Sequence, residues 1–304
     1  MSAPTASRPL SESLIESLGE PIRGPRALDQ SWRRFWQLTY NIARSEFKLK
    51  FFGSALGYLW QVMRPLLLFG VLYVFFVEVF HVDKATGAAG RFYGAQLLGS
   101  IVLFTFFSEA TSGSVRSVVD RESLVRKIQF PRLAIPASVV TLALFNLALN
   151  IVVVLIFAVI EGVRPMVSWL ELPLIIIMLT LLSSGIAMLL SALFVRFRDI
   201  SPIWEVVSQI LFYSAPVILP AEAVRKELGH GHVDHILYHV YTLNPLVTIF
   251  QQFRHAMING NTYSAGQVMG SWLALLEPVG LVCIIFALGF WVFTRQAPHI
   301  AEDL

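Results

Sequence analysis

Cysteine is almost absent from this chain of 304 residues: the only one, Cys283, lies within an apolar run. A lone thiol excludes an intramolecular disulfide and any multi-thiolate metal site. Charge is scarce too, since Lys, Arg, Asp and Glu supply 14% of the residues, against roughly a quarter in a soluble domain. No G-x-x-x-x-G-K-[ST] phosphate loop occurs, so the chain has no strand-loop-helix device for holding ATP, and any nucleotide energy would come from a partner. No N-terminal stretch combines a basic start, a short apolar core and a small-residue cleavage site. No signal peptide is therefore expected, and the first membrane helix is expected to direct insertion itself.

What is abundant is apolar surface: 56% of residues are hydrophobic, and the mean hydropathy is +0.66. Stretches long enough to cross a ~30 Å hydrocarbon core run from Tyr58 to Phe80, Phe92 to Val115, Leu133 to Ile160, Leu172 to Val195, Ile200 to Leu219 and Pro278 to Thr294. The expected fold is an all-α polytopic membrane protein with six transmembrane helices and both termini on one side. Of 23 Lys and Arg, nine fall at or before Arg64, five between Arg116 and Arg132, two at Arg196 and Arg198, and one at Arg295. Only Lys84, Arg91, Arg164, Arg225, Lys226 and Arg254 fall on the other side, so the positive-inside bias puts the termini in the cytoplasm.

Residues 1–30, broken by Pro4, Pro9, Gly19, Pro21, Gly24 and Pro25, read as a flexible cytoplasmic tail. From about Ser31, Trp32, Phe35, Trp36, Tyr40, Ala43, Phe47 and Phe51 recur on one helical face, with Arg33, Arg34, Arg44 and Lys48 opposite. An aromatic stripe backed by cations predicts an amphipathic helix lying in the membrane interface. Gly53 and Gly57 then bracket a bend into the first span. The basic loop from Arg116 to Pro136 carries Val118, Val119, Glu122, Val125 and Ile128 at helical spacing, and Phe130-Pro131 forces an extended exit. It predicts a short amphipathic helix at the inner surface, either as a solvated basic loop or as a dock for a cytoplasmic partner.

Before the last span, Asn244-Pro245 supplies an N-cap with proline at the first helical position, and Asn259-Gly260-Asn261 a stop. Leu246, Ile249, Phe250, Phe253 and Met257 form an apolar stripe opposite Gln251, Gln252, Arg254 and His255. At about 15 residues this helix is too short to span and is expected to dip into or lie on the outer leaflet, as at the mouth of a pathway. His230, His232, His235 and His239 cluster nearby, but only Asp234 is at hand to complete a tetrahedral set, so no metal is expected. Asp120-Arg121-Glu122, a spacing that a metal-dependent glycosyltransferase uses, reads as a solvated face between cations.

Ionisable groups inside spans need partners or water. Arg64 and Glu109 fall at matching depth, roughly 10 Å from the inner end, with Glu205 slightly shallower, which predicts that the three turn toward one another, toward the pathway or toward the inner headgroups. Phe69, Tyr73, Phe76 and Phe80 share one face of the first span, facing lipid or lining a path suited to sugar rings.

Several of these segments together resemble a known family. Phe47-Lys48, Leu56-Gly57, Trp60 and Pro65 resemble the opening signature of type-2 ABC exporter permeases for polysaccharides; so do Leu124 to Pro131, Phe197-Arg198-Asp199-Ile200, Ser214-Ala215-Pro216-Val217, and Asn244-Pro245-Leu246 with Phe253-Arg254. The resemblance covers about residues 31 to 295 in consistent order and departs at Arg64, where glutamine is more usual. It implies a six-helix permease domain over 31–295 and a short cytoplasmic tail over 296–304. It also implies a homodimer carrying two copies of a separate cytoplasmic ATPase, which holds ATP and Mg while this chain holds no cofactor. The cargo implied is a polyprenyl-diphosphate-linked glycan, and no nucleic acid is involved. Coupling to the ATPase would fall to Glu122, Arg126, Lys127, Phe130 and Pro131, with Trp32, Trp36, Phe47 and Lys48 in the interface helix. Arg64, Phe69, Tyr73, Glu109 and Glu205 would line the path, and Asn244, Pro245, Phe253 and Arg254 the outer gate. The competing expectations are a type-2 ABC efflux permease for a drug or lipid, and an intramembrane enzyme acting on a polyprenyl-linked sugar.

Overall fold

The structure, a computed structural model, describes residues 32–51, 57–85, 87–122, 131–228, 232–258 and 262–298, and every regular element among them is helical. The N-terminal tail, the Gly53 side of the bend, Arg126, Lys127 and Phe130 of the basic loop, His230, the Asn259-Gly260-Asn261 stop and the last six residues lie outside the described residues. The chain forms α1 (Trp32–Phe51), α2 (Gly57–Tyr73) with a π-helical continuation Val74–Val79, α3 (Tyr93–Val115), α4 (Ala134–Glu161), α5 (Leu172–Arg196) and α6 (Ile200–Ser214). Then follow α7 (Ala221–Leu228), α8 (His232–Leu243), α9 (Pro245–Met257), α10 (Ala265–Met269) and α11 (Leu276–Gln296).

Five segments are long and apolar enough to cross a membrane: Leu59–Val79, Gly90–Val115, Ala134–Glu161, Val167–Arg196 and Leu273–Gln296. They coincide with five of the six expected spans. The span expected over Ile200 to Leu219 is shorter: α6 has 15 residues, about 22 Å at a ~1.5 Å rise, against a core of ~30 Å. Pro216 is the cause. A proline disfavours helical geometry in the residue before it, and Ala215 is extended at ψ 155°.

The most polar of the five spans is also the most deeply placed. The best window of the α3 span has a mean hydropathy of 1.2, the lowest of the five, yet 72% of it is buried, against 11% for the α2 span and 17% for the α11 span. Lipid demands an apolar exterior, whereas an interior helix can carry polar groups that find partners. Gln96, Ser100, Thr111 and Ser114 of α3 are fully enclosed, and the hydroxyls of Thr111 and Ser114 donate to the carbonyls of Phe107 and Ala110 at 2.8 and 2.7 Å.

Around α3 two joints fix the bundle. The first amides of α3, Gly94 and Ala95, donate to the Glu161 carboxylate at the end of α4, at 3.2 and 2.6 Å. An acid at a helix N-terminus satisfies orphan donors and meets the positive end of the dipole. Glu161→Ala is expected to lower stability by about 1–2 kcal/mol; an unchanged melting temperature in detergent would show that water replaces the carboxylate without loss. The second joint is α5 against α11, where Gly185 and Gly289 bring the two backbones together. At the end of the bundle rich in cations, here the basic end, Phe35, Val118, Leu133, Ile135, Met188 and Phe293 form one apolar cluster that ties α1 and both ends of the basic loop to α5 and α11.

Candidate functional site

Polar groups gather at both ends of the bundle. At the basic end α1, α2, α3, α4 and the first turn of the basic loop enclose a cleft of about 400 Å³, whose charged lining is Glu46, Lys50, Arg64, Glu109, Asp120 and Arg121. Glu109 accepts from Gln61 Nε2 at 2.9 Å and from Asn146 Nδ2 at 2.7 Å, so amides hold the carboxylate. Arg121 pairs with Glu46, and burial pulls its guanidinium below the usual arginine range. Arg64 is exposed at the rim, and its guanidinium takes no hydrogen bond or ion pair among the described residues. The cleft thus brings Arg64 and Glu109 together, as their depth suggested, but the acid's partners are amides. Glu205 stands apart, exposed on α6. Depth along a helix is legible from sequence, whereas rotation about its axis is set by neighbours.

The aromatic face of α2 turns largely inward. Phe69 is buried, its ring 5.2 Å from Phe157 of α4 and 5.3 Å from Tyr73. Tyr73 and Phe76 are half-buried against the same core, and Phe80 is exposed. The α1 stripe divides in the same manner. Phe35, Thr39 and Ala43 are buried, and Tyr40 and Phe47 each meet Phe145 of α4 edge-on at 5.9 Å, while Trp32, Trp36 and Lys48 remain exposed. In the basic loop Glu122 is half-buried and Pro131 buried. Arg132, expected among the solvated loop cations, is also buried and donates to the Ala297 carbonyl that closes α11, where a cation offsets the negative end of the dipole.

At the opposite end, the distal end, α9 begins as its sequence indicates: Asn244 Oδ1 accepts from the Leu246 amide at 3.1 Å, with Pro245 at the first position. Its polar stripe turns toward protein, with Gln251 and Arg254 buried and Gln252 and His255 half-buried. Arg254 is fully buried and donates from Nε to the Pro216 carbonyl (3.0 Å), from Nη2 to that of Val217 (2.7 Å) and from Nη1 to Gln96 Oε1 (3.2 Å). Tyr93 donates its hydroxyl to the next carbonyl, Ile218, at 2.9 Å. The non-helical backbone after α6 therefore finds its acceptors answered one by one by α3 and α9, the condition for irregular chain at membrane depth.

Around the guanidinium, Gln251 Nε2 donates to Glu222 of α7 and to the Tyr263 carbonyl, at 3.2 and 2.8 Å, and Gln252 Nε2 donates to Glu171 at 2.7 Å. Burial pushes the Glu222 carboxyl up and pulls Arg254 down to about 10, which still leaves the guanidinium charged at neutral pH. On the apolar side, the Phe253 ring occupies the space a Cβ at Gly99 would need. A polar stripe on a helix records only that it needs partners, and here protein supplies them.

Gln61, Tyr93, Gln96, Asn146 and Glu222 complete these constellations, and the sequence reading did not single them out. For four of them a signal was present: hydrogen-bonding side chains within or beside apolar spans are costly unless answered.

Together these features define a multi-pass α-helical membrane protein with a charged cleft at one end and, at the other, a short capped helix plugging a broken segment. Residues 37–258 match the model of the ABC-2 type transporter family, and the chain belongs to that family; it is the membrane subunit of a transporter. It is 24% and 26% identical over 264 residues to two proteins of Klebsiella pneumoniae, each named O-antigen export system permease protein RfbA, covering 86% of this chain and 93% of each relative. A Myxococcus xanthus protein of the same name is 24% identical over 217 residues, covering 71% of this chain and 78% of its own.

Proposed function

We propose that this chain is the permease subunit of an ATP-driven exporter that moves a lipid-linked polysaccharide from the cytoplasmic to the outer side of the membrane. The observation carrying this reading is the likeness to O-antigen export permeases across 93% of their length. In this reading the basic end is cytoplasmic and both termini lie there, in keeping with the distribution of Lys and Arg. Two copies of the chain assemble with two copies of a separate ATPase that binds ATP and Mg, and the cargo is a polyprenyl-diphosphate-linked glycan.

The exposed faces of α2 and α6 favour a path between two copies. On α6, Glu205 and Gln209 are exposed beside Ile203, Val206 and Ile210. A carboxylate facing hydrocarbon costs about 3 kcal/mol, and a polar path or a second copy removes that cost. Arg126, Lys127 and Phe130 transmit the stroke from the ATPase, through loop ends held at Val118 and Pro131 in buried surroundings. The distal helix α9, with Asn244, Pro245, Phe253 and Arg254, forms part of the outer gate.

The test is co-purification of a tagged chain with the neighbouring ATPase, together with surface glycan measured in cells. Arg126→Glu with Lys127→Glu is expected to lower both ATPase retention and surface glycan at least about tenfold, as two reversed charges at one interface do. Surface glycan at the wild-type level in cells lacking this chain would overturn the reading.

A further inference from the structure

Apart from the charged cleft, three arginines at the basic end are gathered where α3, α5 and α6 meet. We infer that Arg116, Arg196 and Arg198 bind the phosphate of an acidic lipid, one whose headgroup carries no ammonium, in the leaflet at that end of the bundle. A membrane phospholipid and a polyprenyl diphosphate both present this chemistry, so the inference does not depend on what the transporter exports.

The geometry is built on one ring. Arg116 follows the last residue of α3 and Arg198 lies between α5 and α6, yet both guanidiniums lie over Phe194, at 5.7 and 5.2 Å from its centroid. Phe194 is 5% exposed, so a core residue of α5 brings together two cations from different parts of the chain. Arg196, the last residue of α5, lies over the neighbouring Phe197 at 5.8 Å.

The three side chains are exposed, so a ligand reaches them directly. None takes a hydrogen bond or an ion pair among the described residues. The acids nearest in the chain, Asp120 and Asp199, are exposed and pair with none of the three there. Like charges gathered over one ring raise one another's energy, and an anion set among them lowers it. A phosphate offers oxygens to several guanidinium forks at once.

Depth then selects a lipid. One span ends at Val115 and another at Arg196, which puts the three arginines where the hydrocarbon stops, at the level of headgroup phosphates. From the same place α6 runs inward from Ile200, with Ile203, Val206 and Ile210 exposed as an apolar track for an acyl or prenyl chain. Glu205, exposed on that helix, repels a phosphate from moving deeper and leaves it at the arginines. A zwitterionic headgroup brings an ammonium into a cluster of cations, and that repulsion offsets what its phosphate gains.

The experiment is native mass spectrometry of the purified transporter, titrated with dioleoyl phosphatidylglycerol against dioleoyl phosphatidylcholine, and with a short polyprenyl diphosphate against the matching polyprenol. Each pair shares its tails, so only the headgroup differs. Wild type is expected to retain the acidic member of at least one pair about tenfold better, the value of one charge-assisted hydrogen bond. The pair that shows the preference names the source of the phosphate. Arg116→Gln with Arg198→Gln should remove the preference. Phe194→Leu changes no charge yet should lower it severalfold, because the ring is what holds the two forks together. Arg295→Gln is the control: Arg295 is also exposed at the basic end and lies over a single ring, that of Trp291, and its loss should leave the preference intact.

Equal retention within both pairs would overturn the inference. So would a loss in Arg295→Gln as large as in the double variant, which would reduce the effect to the general charge of the basic end. A double variant that keeps its lipid preference but no longer co-purifies with the ATPase would make the arginines a protein contact instead. Each of these leaves the export reading standing, since surface glycan decides that. If Phe194→Leu fails to fold, the double variant against Arg295→Gln decides alone, because those side chains are exposed.

Discussion

Arg254→Leu is expected to remove most of the folded transporter from the membrane. Leucine matches the apolar reach of arginine but takes away the donors that Arg254 gives to the carbonyls of Pro216 and Val217 and to the Gln96 amide oxygen, in a buried site. Three such acceptors, partly relieved by relaxation, cost on the order of 3–5 kcal/mol. Glu222 also loses the positive charge that offsets its burial. A melting temperature lower by about 10 °C in detergent is the expected readout, with surface glycan falling accordingly. Arg254→Lys keeps the charge but replaces a planar fork by a single ammonium that cannot reach three acceptors at once, so it should recover only part of the loss. Tyr93→Phe removes the donor to the Ile218 carbonyl alone and should cost about 1 kcal/mol. Were Arg254→Leu to melt with wild type yet fail to export, the residue would act in gating rather than in holding the broken segment. Wild-type melting and wild-type export together would dismiss both roles.

The second large effect is expected at the crossing of α5 and α11. A Cβ at Gly289 would overlap the carbonyl group of Gly185, and one at Gly185 would stand 2.7 Å from the Phe286 Cα, closer than side chains come to backbone. Because the obstacle is backbone on both sides, no rotamer change relieves it, and the helices must separate. Separation forfeits packing along the whole contact, and within a bilayer that packing is the main force holding one helix to another. Gly289→Leu is therefore expected to cost at least about 3 kcal/mol, the upper range of overpacking. The internal comparison is Gly280→Leu on the same helix, where a Cβ meets nothing within 4 Å and little change should follow. Equal melting temperatures for the two variants would remove the close crossing as the explanation.

Both effects could be located only in part from the chain itself. The α9 cap was legible because it is local: an asparagine followed by proline sets the first turn wherever the helix ends up. So were five of the spans, since length and apolarity decide them. Pro216, too, stood in the sequence, yet a proline inside an apolar run marks either a kink or an end. Only the partners waiting for the freed carbonyls made an end tolerable here. The π-helical turn Val74–Val79 and the glycine crossing left no pattern distinct from an ordinary span.

By itself the sequence determined that this is a polytopic helical membrane protein, where most of its helices begin and stop, and which end carries the cations. Tertiary structure alone decided which way those helices face. It turned the polar stripe of α9 inward onto Gln96, Pro216, Val217 and Glu222, gave Glu109 to Gln61 and Asn146 while Arg64 stayed at the rim, and sank Arg132 against the end of α11. The reason is geometric. Position along a helix axis follows from counting residues at a fixed rise, but rotation about that axis is chosen by neighbours distant in the chain, and in a membrane both lipid and protein accept the apolar faces that would otherwise give it away.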